Sequence, residues 1–214
     1  MGKLALRARG GAEVVIEPNT VLRGTLHPTV DRTLAPKAVA LFGRSATMRV
    51  VSLPDLYGGK LCAALDRQHP RDLFDVKLLL DQEGITDSLF KTFLVYVVGH
   101  KGVISHVIDP REKDVADLYE KQFVDMAVEP VSIEVLLEAR RSLVREIHAR
   151  IDARIRQFLL SAQRGEPEWS LLGLDGIDQL PAIKWKLLNV KRMPQELFVE
   201  ELATLERVLE NIGT

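Results

Sequence analysis

Hydrophobic and polar residues follow one pattern in the first quarter of the chain and another pattern beyond Pro54. Two early segments, 12–21 and 46–51, are rich in β-branched and apolar residues, which is typical of strands. The connection between them includes residues 25–36, where prolines and threonines favour extended or turn conformations. We therefore predict two strands joined by a segment in extended or turn conformations.

Beyond Pro54 the apolar residues recur every three to four positions, the spacing that places them on one face of a helix. The predicted helices cover 53–66, 70–82, 86–98, 112–127, 132–163 and 195–211. The fifth is predicted as one long helix because it contains no proline or glycine before Gly165. Strands followed by helices predict an α+β protein with a helical carboxy-terminal part.

Composition narrows the classes of protein that fit the chain. Of its 214 residues, 46% are hydrophobic and 28% are charged, which suits a folded protein with a sizeable core. The net charge of −1 argues against an overall basic field for nucleic acid or membrane binding, so any such contact is expected to be a local patch. The arginine-rich run 140–156 alternates with acids and predicts a solvated helix face.

Cysteine and hydropathy patterns indicate where the protein acts. Cys62 is the single cysteine, so an intramolecular disulfide is excluded, and the five histidines lack zinc-ligand spacing. No run of about 18 apolar residues is present, and the amino terminus lacks the apolar core of a signal peptide. We therefore expect a cytoplasmic protein with no membrane partner.

Charged residues within segment 56–80 form the candidate site. At about 100° per residue, Lys60 and Arg67 fall within roughly 20° of each other, on a helical stripe that also carries leucines and alanines. Lysine supplies a compact point charge and arginine a planar fork, and both hold phosphate groups in proteins. We therefore predict that both side chains point into a cleft, whereas Asp55, on a different stripe, is expected to meet water.

A second helix is predicted to begin at Pro70, where the missing N–H of proline is tolerated. Asp72 and Asp75 lie three residues apart on one side of it, and like charges at this spacing repel by roughly a few tenths of a kcal/mol without a cation between them. Arg67 and Arg71 are the nearest candidates. The same pattern is also typical of acids that complement a helix dipole, or of an Arg–Asp network joining two helices.

The spacing Lys60-x6-Arg67-x3-Arg71-Asp72-x2-Asp75, preceded by LPDLYGGK, resembles the third signature motif of the AbiEii/AbiGii nucleotidyltransferase toxins. The likeness continues through VVIEPNTVLRG at 14–24, the region 96–110 and WKLLN at 185–189, and so covers nearly the whole chain. It implies part of a DNA polymerase β-like nucleotidyltransferase fold in residues 1–82 and a helical domain in residues 83–214.

The resemblance also implies a reaction, the transfer of a nucleotide from an NTP with Mg²⁺ to an RNA, such as tRNA, or to a protein acceptor. The site residues that it implies are nucleotide-binding Lys60, Arg67 and Arg71, catalytic Asp72 and Asp75, and the metal ligand Glu17. In this interpretation the two aspartates shape the nucleotide site or assist proton transfer. Asn189 is a candidate for a further short motif, and a winged-helix antitoxin is a possible partner.

The chain departs from the family in its first motif, a Gly-Gly-Thr turn followed by an Asp-x-Asp pair that binds Mg²⁺. Neither is present in the 214 residues, and Gly10-Gly11-Ala12 is followed soon after only by Glu13 and Glu17 as carboxylates. One carboxylate does not hold the metal ions of phosphoryl transfer. Three explanations are open: a start codon placed too late, a gene truncated at its 5′ end, or a degenerate relative that only binds.

These observations leave two main hypotheses and a weaker third. The first is a nucleotidyltransferase toxin, and the second is a non-catalytic module that binds a nucleotide, an RNA or an antitoxin. The third is a structural helical partner protein. We expect weak, salt-sensitive NTP binding, and self-association or partner capture if part of the fold is missing and apolar surface is exposed.

Overall fold

A computed structural model of the protein describes residues 3–16 and 23–212. Within these ranges two antiparallel hairpins precede and flank the first helix, and a helical body follows. The strands are β1 (Leu4–Arg7), β2 (Glu13–Ile16), β3 (Val30–Thr33) and β4 (Thr47–Val50). The helices are α1 (Pro36–Phe42), α2 (Leu53–Arg67), α3 (Pro70–Gln82), α4 (Asp87–Val98), α5 (Ile104–Ile108), α6 (Ala116–Gln122), α7 (Ile133–His148), α8 (Ala153–Gln163), α9 (Pro181–Lys191) and α10 (Gln195–Asn211).

The mixed, mostly helical arrangement agrees with the predicted α+β class, and the finer polymerase β-like arrangement stays a prediction. Strand β2 lies within the segment predicted at 12–21, of which residues 17–22 lie outside the described ranges, and β4 confirms the strand predicted at 46–51. The connection predicted at 25–36 to be extended or turn-like contains β3, which is extended. None of the described helices is long and apolar enough to cross a membrane.

The first hairpin presents an apolar face to solvent. Leu4 lies opposite Ile16 and Leu6 opposite Val14, so the four side chains share one side of the β1–β2 sheet. All four are about half exposed. We call these four residues the hairpin face. Two-stranded sheets are marginally stable on their own, and exposed apolar patches often mark interaction sites.

Helices α2, α3, α4 and α10 confirm four predicted helices, with ends that differ by at most one residue. The capping chemistry explains these boundaries. Ser52 caps α2 by accepting from the Asp55 amide, His69 caps α3 before Pro70, and Thr86 caps α4 in the same way.

The predicted single helix over 132–163 is wrong, because α7 ends at His148 and α8 begins at Ala153. Asp152 accepts a hydrogen bond from the Ile155 amide at 2.8 Å and so caps α8, while Ile151 is buried. The helix predicted over 112–127 is also too long, since only Ala116–Gln122 is helical. A capping acid and a buried side chain can end a helix without glycine or proline.

One hydrophobic core runs through the helical body, from α2 to α10. Helix α2 packs against α4, and α3 packs against α7. Cys62 lies in the α2–α4 interface, where burial raises the pKa of its thiol well above the usual range. The core continues across residue 82, and the predicted division at that residue stays a prediction.

Residues 23–27 connect the amino-terminal part to this body. The Ala182 amide at the start of α9 donates to the Arg23 carbonyl at 3.2 Å. A side chain at Gly24 would lie 2.9 Å from the Pro181 ring, so only glycine allows this approach. Two residues further on, the amides of Leu26 and His27 donate to Asp55 on α2.

Candidate nucleotide site at the α2–α3 turn

The structure brings the predicted site residues of α2 and α3 together as two ion pairs. Lys60 Nζ contacts the Asp75 carboxylate, and Arg67 Nη2 lies 2.9 Å from both oxygens of Asp72. Each pair takes its cation from α2 and its carboxylate from α3. With Arg71, these residues form what we call the cluster. Of the two cations predicted to offset the aspartates, Arg67 pairs with Asp72, whereas Asp75 pairs with Lys60 in place of Arg71.

The two pairs differ in their exposure to water. The side chains of Lys60 and Asp75 are each 36% exposed, whereas that of Asp72 is 15% exposed. Arg67 donates to Oδ1 of Asp72, and Oδ2 is buried and accepts no hydrogen bond from the described residues. An unsatisfied buried acceptor is energetically unfavourable, and the nearby Arg67 guanidinium offsets part of that cost.

Arg71 differs from the other cations of the cluster. It is exposed, and within the described part of the chain its guanidinium makes no ion pair or hydrogen bond. It lines two adjoining clefts. The first, which we call the polar cleft, is lined mainly by charged or polar residues, Arg67, His69 and Asp72, together with Leu118. The second is largely apolar and contains Phe74, Asp75, Phe123, Met126 and Ala127. The guanidinium of Arg71 therefore lies between a charged surface and an apolar one.

Gln68 holds the turn between the two helices in an uncommon conformation. Its φ of 55° lies in the left-handed region, and it is the one non-glycine residue with positive φ among the described residues. The side chain is buried and donates to the Arg111 carbonyl at 2.7 Å. The side-chain oxygen Oε1 of Gln68 accepts hydrogen bonds from the Lys113 amide at 3.0 Å and from the Arg140 guanidinium at 2.9 Å.

Arg140 is buried, so the predicted solvated face over 140–156 is wrong at its first residue. Besides Gln68, its guanidinium donates to the Lys113 carbonyl at 2.9 Å and pairs with Glu112 at 2.8 Å. Arg141 and Arg145 pair with Glu138 at the surface and agree with the prediction. Arg140 thus supports the turn of the cluster from α7, a role that the sequence pattern did not indicate.

Asp55 is also buried, so the prediction that it meets water is wrong, although the side chain of Asp66 on the same predicted stripe is 40% exposed. That stripe faces α4, where the hydroxyl of Tyr96 donates to the Asp55 carboxylate at 3.0 Å. Burial, together with the adjacent Asp55 charge, raises the pKa of Tyr96. The leucines of the stripe that carries Lys60, Leu53 and Leu56, are instead exposed.

Two predicted residues remain, Glu17 and Asn189. Glu17 lies outside the described residues, so its implied place as a metal ligand stays a prediction. Asn189 is exposed on α9 and donates to the Trp185 carbonyl of its own helix at 2.7 Å.

The described residues do not fit a Mg²⁺ site. No group of three or more potential ligands among His, Cys, Asp and Glu occurs in residues 3–16 and 23–212. Asp72 and Asp75, the carboxylates of the cluster, are already paired with cations. Mg²⁺ prefers oxygen ligands with little competing positive charge, and the cluster offers the opposite arrangement.

Comparison with known proteins places this geometry in a family. The chain matches the family described as "Nucleotidyl transferase AbiEii toxin, Type IV TA system" over residues 3–188, a range that contains the whole cluster. Comparisons with curated proteins and with solved structures gave no match. The family match covers most of the chain and confirms the resemblance inferred from the motif. The chain therefore belongs to the AbiEii nucleotidyl transferase toxin family of type IV toxin–antitoxin systems.

Proposed function

We propose that this chain binds a nucleoside triphosphate at the α2–α3 turn, with the phosphate groups held by Arg71, Lys60 and Arg67. The observation that carries the proposal is the exposed guanidinium of Arg71, which has no partner among residues 3–16 and 23–212, beside two partly exposed ion pairs. Family membership implies a nucleotide substrate and an antitoxin partner. Transfer of the nucleotide to an RNA or protein acceptor is the finer proposal, and it depends on that family.

The charges of the cluster support phosphate binding. Its three cations exceed its two carboxylates by one, and the excess charge lies on Arg71. A triphosphate group brings roughly three to four negative charges, which an arginine fork and a lysine point charge both attract. Lys60 and Arg67 can contact phosphate oxygens on the exposed side of each pair. Asp72 and Asp75 then hold these cations in place.

The cluster supports binding more directly than it supports transfer. Phosphoryl transfer in related chemistry relies on metal ions that align and stabilise the attacking and leaving oxygens. Because the described carboxylates do not fit such ions, we assign no chemical step to Asp72 or Asp75. Their proposed role is to shape the nucleotide site.

Titration of the purified chain with NTPs at low salt tests the proposal. We expect saturable binding that weakens as salt is raised, because the contacts are electrostatic. Arg71→Ala should weaken it roughly tenfold, the usual size of a charged hydrogen bond. Lys77→Ala is the matched control, since Lys77 lies on α3 and pairs with Asp81. No NTP binding, or equal losses in both variants, would show the proposal to be wrong.

A further inference from the structure

We propose that the apolar cleft beside Arg71 receives the base of the bound nucleotide. This cleft, which we call the aromatic pocket, is lined by Phe74, Phe123, Met126 and Ala127, with Arg71 and Asp75 at its rim. The inference rests on the proposed function and specifies how the nucleotide lies across the α2–α3 turn.

The pocket is formed by parts of the chain that are distant in sequence. Phe74 lies on α3, and Phe123 lies directly after α6, with their ring centroids 5.6 Å apart. Tyr119 supports Phe123 from behind with a centroid separation of 5.7 Å. Phe123 is buried and Phe74 is partly exposed, so the ring of Phe74 provides most of the aromatic surface that a ligand can reach.

The opposite wall is more open. Met126 is 60% exposed, and Ala127 beside it is half-buried and lines the cleft. The cleft has a volume of about 300 Å³, at the lower end of the range for small-molecule sites. Aromatic rings and a polarisable thioether are surfaces on which the flat face of a nucleobase stacks.

The position of Arg71 joins this pocket to the polar cleft. Arg71 lines both spaces, and the polar cleft adds Arg67 and His69. A ligand that fills both spaces needs a flat, weakly polar part joined to an anionic part. A nucleotide has this composition, with its base against the aromatic wall and its phosphates toward the arginines.

The rim provides a place for the sugar between these two parts. Asp75 borders the aromatic pocket while its carboxylate contacts Lys60. A carboxylate oxygen accepts hydrogen bonds from sugar hydroxyls. Asp75 can therefore contact the sugar at the rim of the pocket, while Arg71, which lines both clefts, connects the pocket to the phosphate positions.

A comparison of two ligands separates base binding from phosphate binding. Binding of inorganic triphosphate is compared with binding of each of the four common ribonucleoside triphosphates. We expect at least one NTP to bind more tightly than inorganic triphosphate. Ala127→Phe fills the pocket, so it should weaken that NTP roughly tenfold, the usual contribution of one stacked base, and leave inorganic triphosphate unchanged.

Two further variants act as references. Arg71→Ala should weaken both ligands, because Arg71 faces both clefts. Val128→Phe introduces the same ring at a fully exposed neighbouring position and should leave both affinities unchanged. Circular dichroism and thermal unfolding confirm that each variant is folded.

The outcomes distinguish the two proposals. Equal affinities for inorganic triphosphate and all NTPs would overturn the base pocket and leave phosphate binding in place. Equal losses of both ligands in Ala127→Phe, or an NTP affinity unchanged by that substitution, would also overturn it. Binding of neither ligand by the unmodified chain would overturn the proposed function and this inference together.

Discussion

Asp55 is a buried carboxylate that holds residues 23–27 against the helical body. Its two oxygens accept hydrogen bonds from the Leu26 and His27 amides at 2.7 and 2.9 Å, and from the hydroxyls of Ser52 and Tyr96. All four partners are donors directed at the carboxylate oxygens. The charge is therefore tolerated in the interior because its hydrogen-bonding capacity is used.

Asp55→Asn should lower the free energy of unfolding by about 3 kcal/mol, because the amide group turns a donor toward a donor and removes the charge. Urea unfolding followed by circular dichroism measures the change. Asp125→Asn, at an exposed position, is the matched control and should change stability by less than about 0.5 kcal/mol. A similar small effect for Asp55→Asn would contradict this account of the buried carboxylate.

The helical wheel could place Asp55 on a stripe but could not show which stripe is buried. Serine and acids near the start of a helix usually cap it in contact with water. The backbone amides that Asp55 accepts come from residues 26 and 27, which belong to an irregular segment. Arg140 was wrongly predicted to be solvated for a related reason, since its hydrogen-bond partners lie far away in the sequence.

The end of α4 carries a histidine whose protonation opposes folding. His100 follows the helix, and its Nδ1 accepts from the Gly102 amide at 3.1 Å. Burial lowers the pKa of His100, while Asp66, 3.5 Å from Nε2, offsets part of the shift. Arg23, Lys101 and Lys186 add positive charge nearby.

Because the folded-state pKa of His100 lies below its ordinary value of 6.5, the unfolded chain binds the proton first as the pH falls. The free energy of unfolding should therefore decrease as the pH is lowered through 6.5. His100→Gln should show a smaller decrease between about pH 7.5 and about pH 5.5, measured by urea unfolding. The other four histidines are present in both proteins, so an equal decrease in the two would contradict the assignment.

Long elements were predictable from periodicity, and short ones were not. Helices α2, α3, α4 and α10 each contain at least 12 residues, enough for several turns of pattern. Helices α1 and α5 contain 7 and 5 residues, too few to establish a period. The break between α7 and α8 depends on the packing of Ile151, which tertiary structure decides.

At the scale of the whole molecule, the hairpin face is apolar surface that the described residues leave exposed. We expect the purified chain to form assemblies larger than one chain as its concentration rises, because association removes these side chains from water. Light scattering across a concentration series measures this. Leu6→Ser should shift the distribution toward single chains.

Val128→Ser is the control, since Val128 is fully exposed but lies outside the hairpin face. It should leave the distribution unchanged. Single chains at every concentration would show that the hairpin face does not drive association. An equal effect of both serine variants would assign the association to general surface hydrophobicity.

The family and the contact of Arg67 with Asp72 could be predicted from the sequence, because five charged residues at fixed spacing lie on adjacent helices. The pairing of Lys60 with Asp75 was not predicted. The aromatic pocket could not be predicted from the sequence. Phe123 and Met126 reach Phe74 only through the fold of residues after α6, and no local pattern records this contact.

Gln68 has a consequence for the order in which the chain folds. Its side-chain partners Arg111, Lys113 and Arg140 follow it by 43, 45 and 72 residues. Contacts over such separations require closure of long loops, so they form after the local turns of α2 and α3. The left-handed backbone at Gln68 is unfavourable until these bonds exist. The turn that presents Arg67 and Arg71 should therefore reach its final shape only when α7 docks, after both helices that flank it have formed.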